Sequence, residues 1–166
     1  NRIIRYLMGT SGHGLTYRRT HDNQRELDIT IYSDSDWAAD VDNRRSMSGY
    51  VVLIAGAPVI WSSRLQRSVA TSSCEAEYVA LAEAVKEACW LRYFFTELKI
   101  PFSEPIVINV DNQAAIALSE NPISHKRTKH IDIAYHFIRD KVKEGKVKAV
   151  YVPTGKNLAD VFTKAT

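Results

Sequence analysis

The sequence has few cysteines and no long apolar run, and both shortages exclude classes of protein. Cys74 and Cys89 are its only cysteines, and in the helix predicted there they lie about 22 Å apart, too far for a disulfide. We therefore expect free thiols, and no cysteine and histidine spacing suggests a zinc site. No apolar stretch approaches the roughly 18 residues of a membrane span, and no secretory signal opens the sequence. These absences predict an intracellular protein with no membrane contact.

Charge is modest in total but uneven along the chain. The 166 residues carry a formal charge of +3, which by itself indicates no nucleic-acid partner. Between His125 and Lys148, however, there are eight lysine or arginine residues and three acidic residues, whereas the remainder has fourteen basic and sixteen acidic residues. A solvated helix surface explains such a stretch, and phosphate binding is the alternative.

Hydrophobic periodicity predicts an α/β protein that forms one domain. The strand patterns occupy residues 27–34, 49–56, 58–63, 106–110 and 147–152, and the helical patterns residues 1–10, 72–98, 112–119, 129–145 and 157–165. The first three strands are close enough in sequence to form an antiparallel meander. The helical crossovers can only join parallel strands, so the sheet is expected to be mixed.

Acidic residues follow two of the predicted strands. Asp34 ends "LDITIYSD" and Asp111 ends "IVINVD", and the carboxyl ends of parallel strands are where α/β folds place ligands. Each residue also has a simpler role, since Asp34 suits a turn and Asp111 suits a helix N-cap. A metal site and two local caps therefore remain as alternatives at this point.

The long helix carries a third acidic residue in an unusual position. Its apolar stripe comprises Leu81, Ala84, Ala88, Leu91 and Phe95. Glu77 lies on the centre line of this stripe, where a carboxylate is costly without a partner, unless the first turn frays and lets it reach water. Glu75 points the opposite way and has capping-box spacing from Ser72. Asp160 in "NLADVF" is ambiguous, because it also suits a helix N-terminus.

Five motifs together resemble one family. "YSDSDWA", "TSSCEAEY", "INVDNQAAIAL", "RTKHIDIAYHFIR" and "YVPTGKNLADVFTKA" occur in this order and are similar to the ribonuclease H domain of copia-type LTR retrotransposon Pol polyproteins. The resemblance implies a ribonuclease H-like fold with a five-stranded mixed sheet flanked by helices. It also implies that residues 1–24 are a leader helix and linker from the reverse transcriptase connection, and that residues 25–166 are the ribonuclease H domain.

The resemblance implies a four-carboxylate catalytic site. The implied metal ligands and catalytic residues are Asp34, Glu77, Asp111 and Asp160. Such hard oxygen ligands favour two Mg²⁺ ions, with Mn²⁺ as a substitute. The sequence departs from the cellular and retroviral pattern, because the loop before Asp160, "VPTGKN", has no histidine. Lys156 is the one candidate in that loop to take over its role.

The resemblance also implies a substrate and a setting. We expect the enzyme to cut the RNA strand of RNA/DNA hybrids, next to the reverse transcriptase domain of the same polyprotein, in a cytoplasmic virus-like particle. The predicted substrate contacts are Ser72, Ser73, Gln113, Arg127, Lys129 and His130. Two alternatives are a transposase or integrase core, disfavoured by the order of the acidic residues, and a degenerate copy that binds nucleic acid without cutting. Trp37, Trp61 and Trp90 are expected in the core.

Overall fold

A computed structural model of the protein describes residues 2–17, 26–120 and 129–164, and the side chains from residue 133 onward in the last range. Its helices are α1 (Arg2–Gly9), α2 (Ser73–Glu97), α3 (Gln113–Glu120) and α4 (Lys129–Lys143). Its strands are β1 (Ile29–Asp36), β2 (Met47–Ile54), β3 (Ala57–Leu65), β4 (Ile106–Val110) and β5 (Val147–Tyr151). The predicted boundary between leader and domain, at residue 24, lies outside the described residues.

The strands form one five-stranded sheet in the order β3-β2-β1-β4-β5. β1, β2 and β3 pair antiparallel, whereas β4 pairs parallel with both β1 and β5. The predicted α/β class and mixed sheet are therefore confirmed. Because β1 and β4 run side by side in the same direction, their carboxyl ends meet at one edge of the sheet.

The core lies between the sheet and α2. Every member of the predicted apolar stripe of α2 is buried, and the stripe packs against buried residues of β1 and β4 such as Ile31 and Ile108. The apolar side chains of α1 are instead exposed, including Ile3, Leu7 and Met8. Among the described residues, no helix is both long and apolar enough to cross a membrane.

The predicted C-terminal helix is not formed over its described part. In its place Asp160–Phe162 makes a 3₁₀ turn, with Phe162 N–H bonded to Ala159 O at 2.9 Å. Val161 of this turn is 61% exposed, whereas Thr163, directly after the turn, is buried and bonds to Asp34 on β1. A local pattern favoured the helix, and this long-range contact competes with it.

The prediction that the tryptophans belong to the core is wrong. Trp37, Trp61 and Trp90 are 47%, 53% and 51% exposed. Trp61 lies on the edge strand β3, and Trp37 donates its indole N–H to Ala70 O at 3.0 Å. Trp90 stacks on Phe94 with ring centres 5.3 Å apart. Each ring therefore lies at the surface, and the rings of Trp37 and Trp90 each contact a specific partner.

Candidate metal centre

Asp34 lies in β1, where it pairs with Gly49 of the antiparallel strand β2, two residues beyond the last β1 residue paired with β4. The residue is 2% exposed, and its Oδ2 accepts a hydrogen bond from the Thr163 hydroxyl. Asn157 Nδ2 approaches Oδ1 at 3.5 Å. Burial raises the pKa of Asp34, the Thr163 hydrogen bond opposes this rise, and the nearby Asp111 and Asp160 charges add to it.

Glu77 lies in the first turns of α2 and is 6% exposed. Its Oε1 accepts the backbone N–H of Ser35 at 3.1 Å, while its buried Oε2 has no hydrogen-bond partner among the described residues. Burial raises the pKa of Glu77 to about 8, with further rises from the Asp34 and Asp111 charges. The stripe position therefore does bury Glu77, and the alternative of a frayed first turn is wrong.

Asp111 follows β4 and is half-buried. Its Oδ2 accepts the hydroxyl of Thr154 at 2.7 Å. The alternative role as N-cap of α3 belongs to its neighbour, because Asn112 Oδ1 accepts the N–H of Ala115 at 3.0 Å. The cap of α3 therefore does not use the Asp111 carboxylate.

These three carboxylates converge. One ligand oxygen each from Asp34, Glu77 and Asp111 lies within 4.8 Å of the other two. Among the described residues, no basic side chain makes a salt bridge with any of the three. Clustered, largely buried carboxylates without counter-ions are costly unless they share protons or a cation, so the arrangement fits a divalent metal.

The fourth predicted ligand, Asp160, does not join this group. It lies at the start of the 3₁₀ turn, and its Oδ1 pairs with the ammonium group of Lys164. Its backbone carbonyl oxygen nevertheless lies 3.1 Å from the Thr163 hydroxyl that bonds to Asp34, which places Asp160 beside the site, and its charge raises the pKa of Asp34. The structure therefore brings three of the four predicted ligands together and holds the fourth next to them.

The predicted capping box at the start of α2 is half formed. Ser72 Oγ accepts the N–H of Glu75 at 3.2 Å, as predicted. The Glu75 carboxylate does not reach back to Ser72, and instead accepts the N–H of Thr71 at 2.7 Å together with the Thr71 hydroxyl. Glu75 is thus a local capping residue that points away from the carboxylate group.

The predicted substrate contacts are only partly described. Ser72 and Ser73 are exposed at the N-terminus of α2, and Gln113 is exposed at the start of α3. Arg127 lies outside the described residues, as do the side chains of Lys129 and His130 in the first turn of α4. Their role in phosphate binding stays a prediction.

Sequence reasoning missed three polar residues around the carboxylates. Thr154 bonds to Asp111, Thr163 bonds to Asp34, and Asn157 donates to Ser33 O at 3.0 Å. Asn157 is 5% exposed and Thr163 is 7% exposed. All three come from the last fourteen residues of the chain, whose clustering of short polar side chains around Asp160 was the available signal.

Comparison with known proteins gives relatives that match almost the whole chain. The Retrovirus-related Pol polyprotein from transposon RE2 of Arabidopsis thaliana is 43% identical over 163 residues, covering 98% of this chain and 11% of that protein. The corresponding polyprotein from transposon TNT 1-94 of Nicotiana tabacum is 42% identical over 162 residues, covering 98% of this chain and 12% of that protein. The chain thus spans about a ninth of these relatives. No protein-family model matches it.

Solved structures show the same fold. LC11-RNase H1 in complex with an RNA/DNA hybrid superposes with a TM-score of 0.59 at 20% identity, covering 81% of this chain and 93% of that one. The N-terminal RNase H domain of a Mycobacterium tuberculosis protein gives 0.60 at 15% identity, over 83% and 91%. The foamy viral protease-reverse transcriptase in complex with an RNA/DNA hybrid gives 0.58 at 19% identity, over 91% and 21%.

Proposed function

We propose that this chain, which has the ribonuclease H fold and whose homologues are Pol polyproteins of copia-type transposons, is a metal-dependent endonuclease for the RNA strand of RNA/DNA hybrids. The homology and the fold confirm the resemblance inferred from the motifs. They support a ribonuclease H function in general terms. We propose in addition that the chain cleaves RNA, uses divalent metals and acts on RNA/DNA hybrids.

The convergence of Asp34, Glu77 and Asp111 carries this proposal. Their ligand oxygens lie within 4.8 Å of one another, at the sheet edge where β1 and β4 end together. The buried Glu77 Oε2 has no hydrogen-bond partner among the described residues, as expected of an oxygen that binds a cation. Three carboxylate oxygens are a donor set suited to Mg²⁺ or Mn²⁺.

In this proposal Asp34, Glu77 and Asp111 would hold one ion, and Asp34 and Asp160 a second. Such ions, when bound, would supply an activated water and neutralise the charge that develops on the leaving oxygen. The chain itself fixes the ligands beforehand. Ser35 N–H holds one oxygen of Glu77, Thr154 holds one oxygen of Asp111, and Thr163 holds one oxygen of Asp34.

Lys164 sets a condition for the second ion. Its ammonium group pairs with Asp160 Oδ1, so Asp160 has to exchange this partner before it can act as a ligand. Lys164 lies on an exposed turn with its side chain 48% exposed, and exposed ion pairs contribute little to stability. The exchange is therefore inexpensive.

Substrate recognition follows from the surroundings of this centre. We infer that Ser72 and Ser73 bind a backbone phosphate at the N-terminus of α2, where backbone N–H groups point outward, and that the exposed Gln113 also contacts the substrate. Arg127, Lys129 and His130 add sequence-independent phosphate contacts. Hybrid selectivity comes from duplex shape and 2′-hydroxyl contacts.

The setting follows from the polyprotein relatives. We infer that the chain works beside a reverse transcriptase domain of the same polyprotein. We also propose, as the motif resemblance implies, that the reaction takes place inside the cell, in a cytoplasmic virus-like particle, where it removes RNA already copied into DNA.

A direct test uses an end-labelled RNA/DNA hybrid with the purified chain in Mg²⁺, in Mn²⁺ and in EDTA. We expect cleavage of the RNA strand with either ion and none with EDTA. Double-stranded DNA and double-stranded RNA of the same sequence serve as matched controls and should stay intact. Binding of the hybrid with no cleavage under any metal condition would support the degenerate nucleic-acid-binding copy instead.

A further inference from the structure

We propose that Thr163 is a positioning residue of the metal centre, whose hydroxyl fixes the Asp34 carboxylate in the orientation that a bound divalent cation requires. The inference rests on the proposed function, because it assigns a role toward the metal that Asp34 would hold. It adds a residue that lies outside the four-carboxylate set, on the chain segment after Asp160.

The contact between Thr163 and Asp34 is buried and joins two residues that are far apart in sequence. The two residues are 129 positions apart in sequence, and they are 7% and 2% exposed. Thr163 Oγ1 donates to Asp34 Oδ2 and also lies 3.1 Å from the carbonyl oxygen of Asp160. A hydroxyl has one proton to donate, and a carboxylate is the stronger acceptor of the two. The bond to Asp34 is therefore the preferred one.

This bond limits what the Asp34 carboxylate can do. With Oδ2 held by Thr163, rotation of the carboxylate about its own axis is restricted. An ion that binds Asp34 then does not have to order this side chain. Groups that hold a metal ligand in this way influence metal affinity although they never touch the metal.

Gly49 provides the space for the Thr163 segment. It pairs directly with Asp34 across β1 and β2. A Cβ added at Gly49 would lie 2.8 Å from Phe162 Cβ and 2.9 Å from Thr163 Cγ2. Because glycine inside a strand weakens it, such a residue often marks a close approach of another part of the chain. Here the approaching part is the turn that carries Thr163.

The main rival explanation is that Thr163 only packs the end of the chain against the sheet. Two substitutions separate these roles. Thr163→Val keeps the branched shape and removes the hydroxyl, whereas Thr163→Ser keeps the hydroxyl and removes the methyl group. Packing alone predicts that the valine variant resembles wild type. A positioning role predicts instead that the serine variant resembles wild type and that the valine variant does not.

The test measures the rise in melting temperature of the whole chain against Mg²⁺ and Mn²⁺ concentration, and in parallel the metal concentration for half-maximal hybrid cleavage. We expect Thr163→Val to require about tenfold more metal in both assays, and Thr163→Ser to stay close to wild type. A valine variant that binds metal like wild type would overturn the proposal. If the valine variant fails to fold, a folded Thr163→Ser variant with weakened metal response overturns the proposal as well, and one with wild-type response supports it.

The two assays also keep this inference separate from the proposed function. If wild type binds metal but cuts no hybrid, the proposed reaction is wrong, while the melting curves still decide the role of Thr163. If wild type cuts hybrid and both Thr163 variants equal it, only the positioning role is wrong.

Discussion

The two sides of the candidate site are built differently. Asp34, Glu77 and Asp111 come from β1, α2 and the end of β4, which are regular elements of the core, and no basic side chain described in the structure pairs with them. Asp160 comes from a short 3₁₀ turn and is already paired with Lys164. The first side, called the rigid side below because it lies on regular elements, is thus an acidic cluster that no described salt bridge neutralises, although the Lys164 charge lowers the pKa of Asp34. The second side carries its own cation and has to exchange it.

The largest expected effect is the loss of a ligand on the rigid side. Glu77→Gln keeps the size of the side chain and removes the charge that a metal needs, so hybrid cleavage should fall roughly a thousandfold or more, or about 4 kcal/mol of transition-state stabilisation. Cleavage rates under single-turnover conditions measure this. Asp34→Asn should behave alike, with hybrid binding retained. Near wild-type cleavage by either variant would remove that residue from the mechanism.

The next effect is a pH dependence that belongs to the rigid side. The folded pKa of Glu77 is about 8, against an ordinary value of 4.5, so between these values the folded protein holds a proton that the unfolded chain has lost. Metal-free stability should therefore fall as pH rises from about 5 to about 8 and level off above, by at most about 1.4 kcal/mol per unit of pKa difference.

Urea unfolding in EDTA across this pH range measures that dependence. Glu77→Gln is the matched variant, since it lacks the titrating group and should show a flatter profile. The pKa of Asp34 is raised as well, so a smaller slope of the same sign should remain. Equal slopes in wild type and Glu77→Gln would mean that folding does not raise the pKa of Glu77.

A smaller effect is expected at the second side of the site, called the exchangeable side, where Asp160 pairs with Lys164. Lys164→Met removes the ammonium group that pairs with Asp160, so a metal no longer competes with it. The metal concentration for half-maximal cleavage should fall severalfold, while metal-free stability changes by less than about 1 kcal/mol, as for other exposed ion pairs. A higher metal requirement in this variant would show that Lys164 assists the reaction instead of competing with metal.

The smallest effect is expected at Glu75, two residues from Glu77 on the same helix. Its carboxylate accepts hydrogen bonds only from Thr71 among the described residues, and glutamine also accepts hydrogen bonds. Glu75→Gln should therefore leave cleavage within about twofold of wild type and cost less than about 1 kcal/mol. If Glu75→Gln is inactive and Glu77→Gln is active, the assignment of Glu77 to the site is wrong.

The rigid side could be predicted from sequence, because local patterns determine it. The strand runs, the crossover helix and the apolar stripe predicted the elements on which Asp34, Glu77 and Asp111 lie, whereas their joint role as ligands was implied by the family resemblance. The exchangeable side could not be predicted in this way. A 3₁₀ turn at Asp160 replaces a predicted helix, and the neighbouring Thr163 bonds to a residue 129 positions away, a contact that has no local signal.

Other details depended on contacts that have no local signal. Asn112 and not Asp111 caps α3, and the Glu75 carboxylate binds Thr71 and not Ser72. Both differ by one residue from the predicted pattern, which is the usual uncertainty at helix ends. The exposed Trp61 shows the same limit, because residue type favours burial but does not tell whether a strand lies at the edge of its sheet, as β3 does.

The central claim is that Asp34, Glu77 and Asp111 bind a divalent cation. The most direct measurement is anomalous X-ray diffraction from crystals of the chain soaked in Mn²⁺, with Glu77→Gln crystals as control. The account predicts a Mn²⁺ peak within bonding distance, about 2.2 Å, of one oxygen from each of the three carboxylates, and a weaker or absent peak in the control. Full Mn²⁺ occupancy elsewhere with none at these three residues would contradict it.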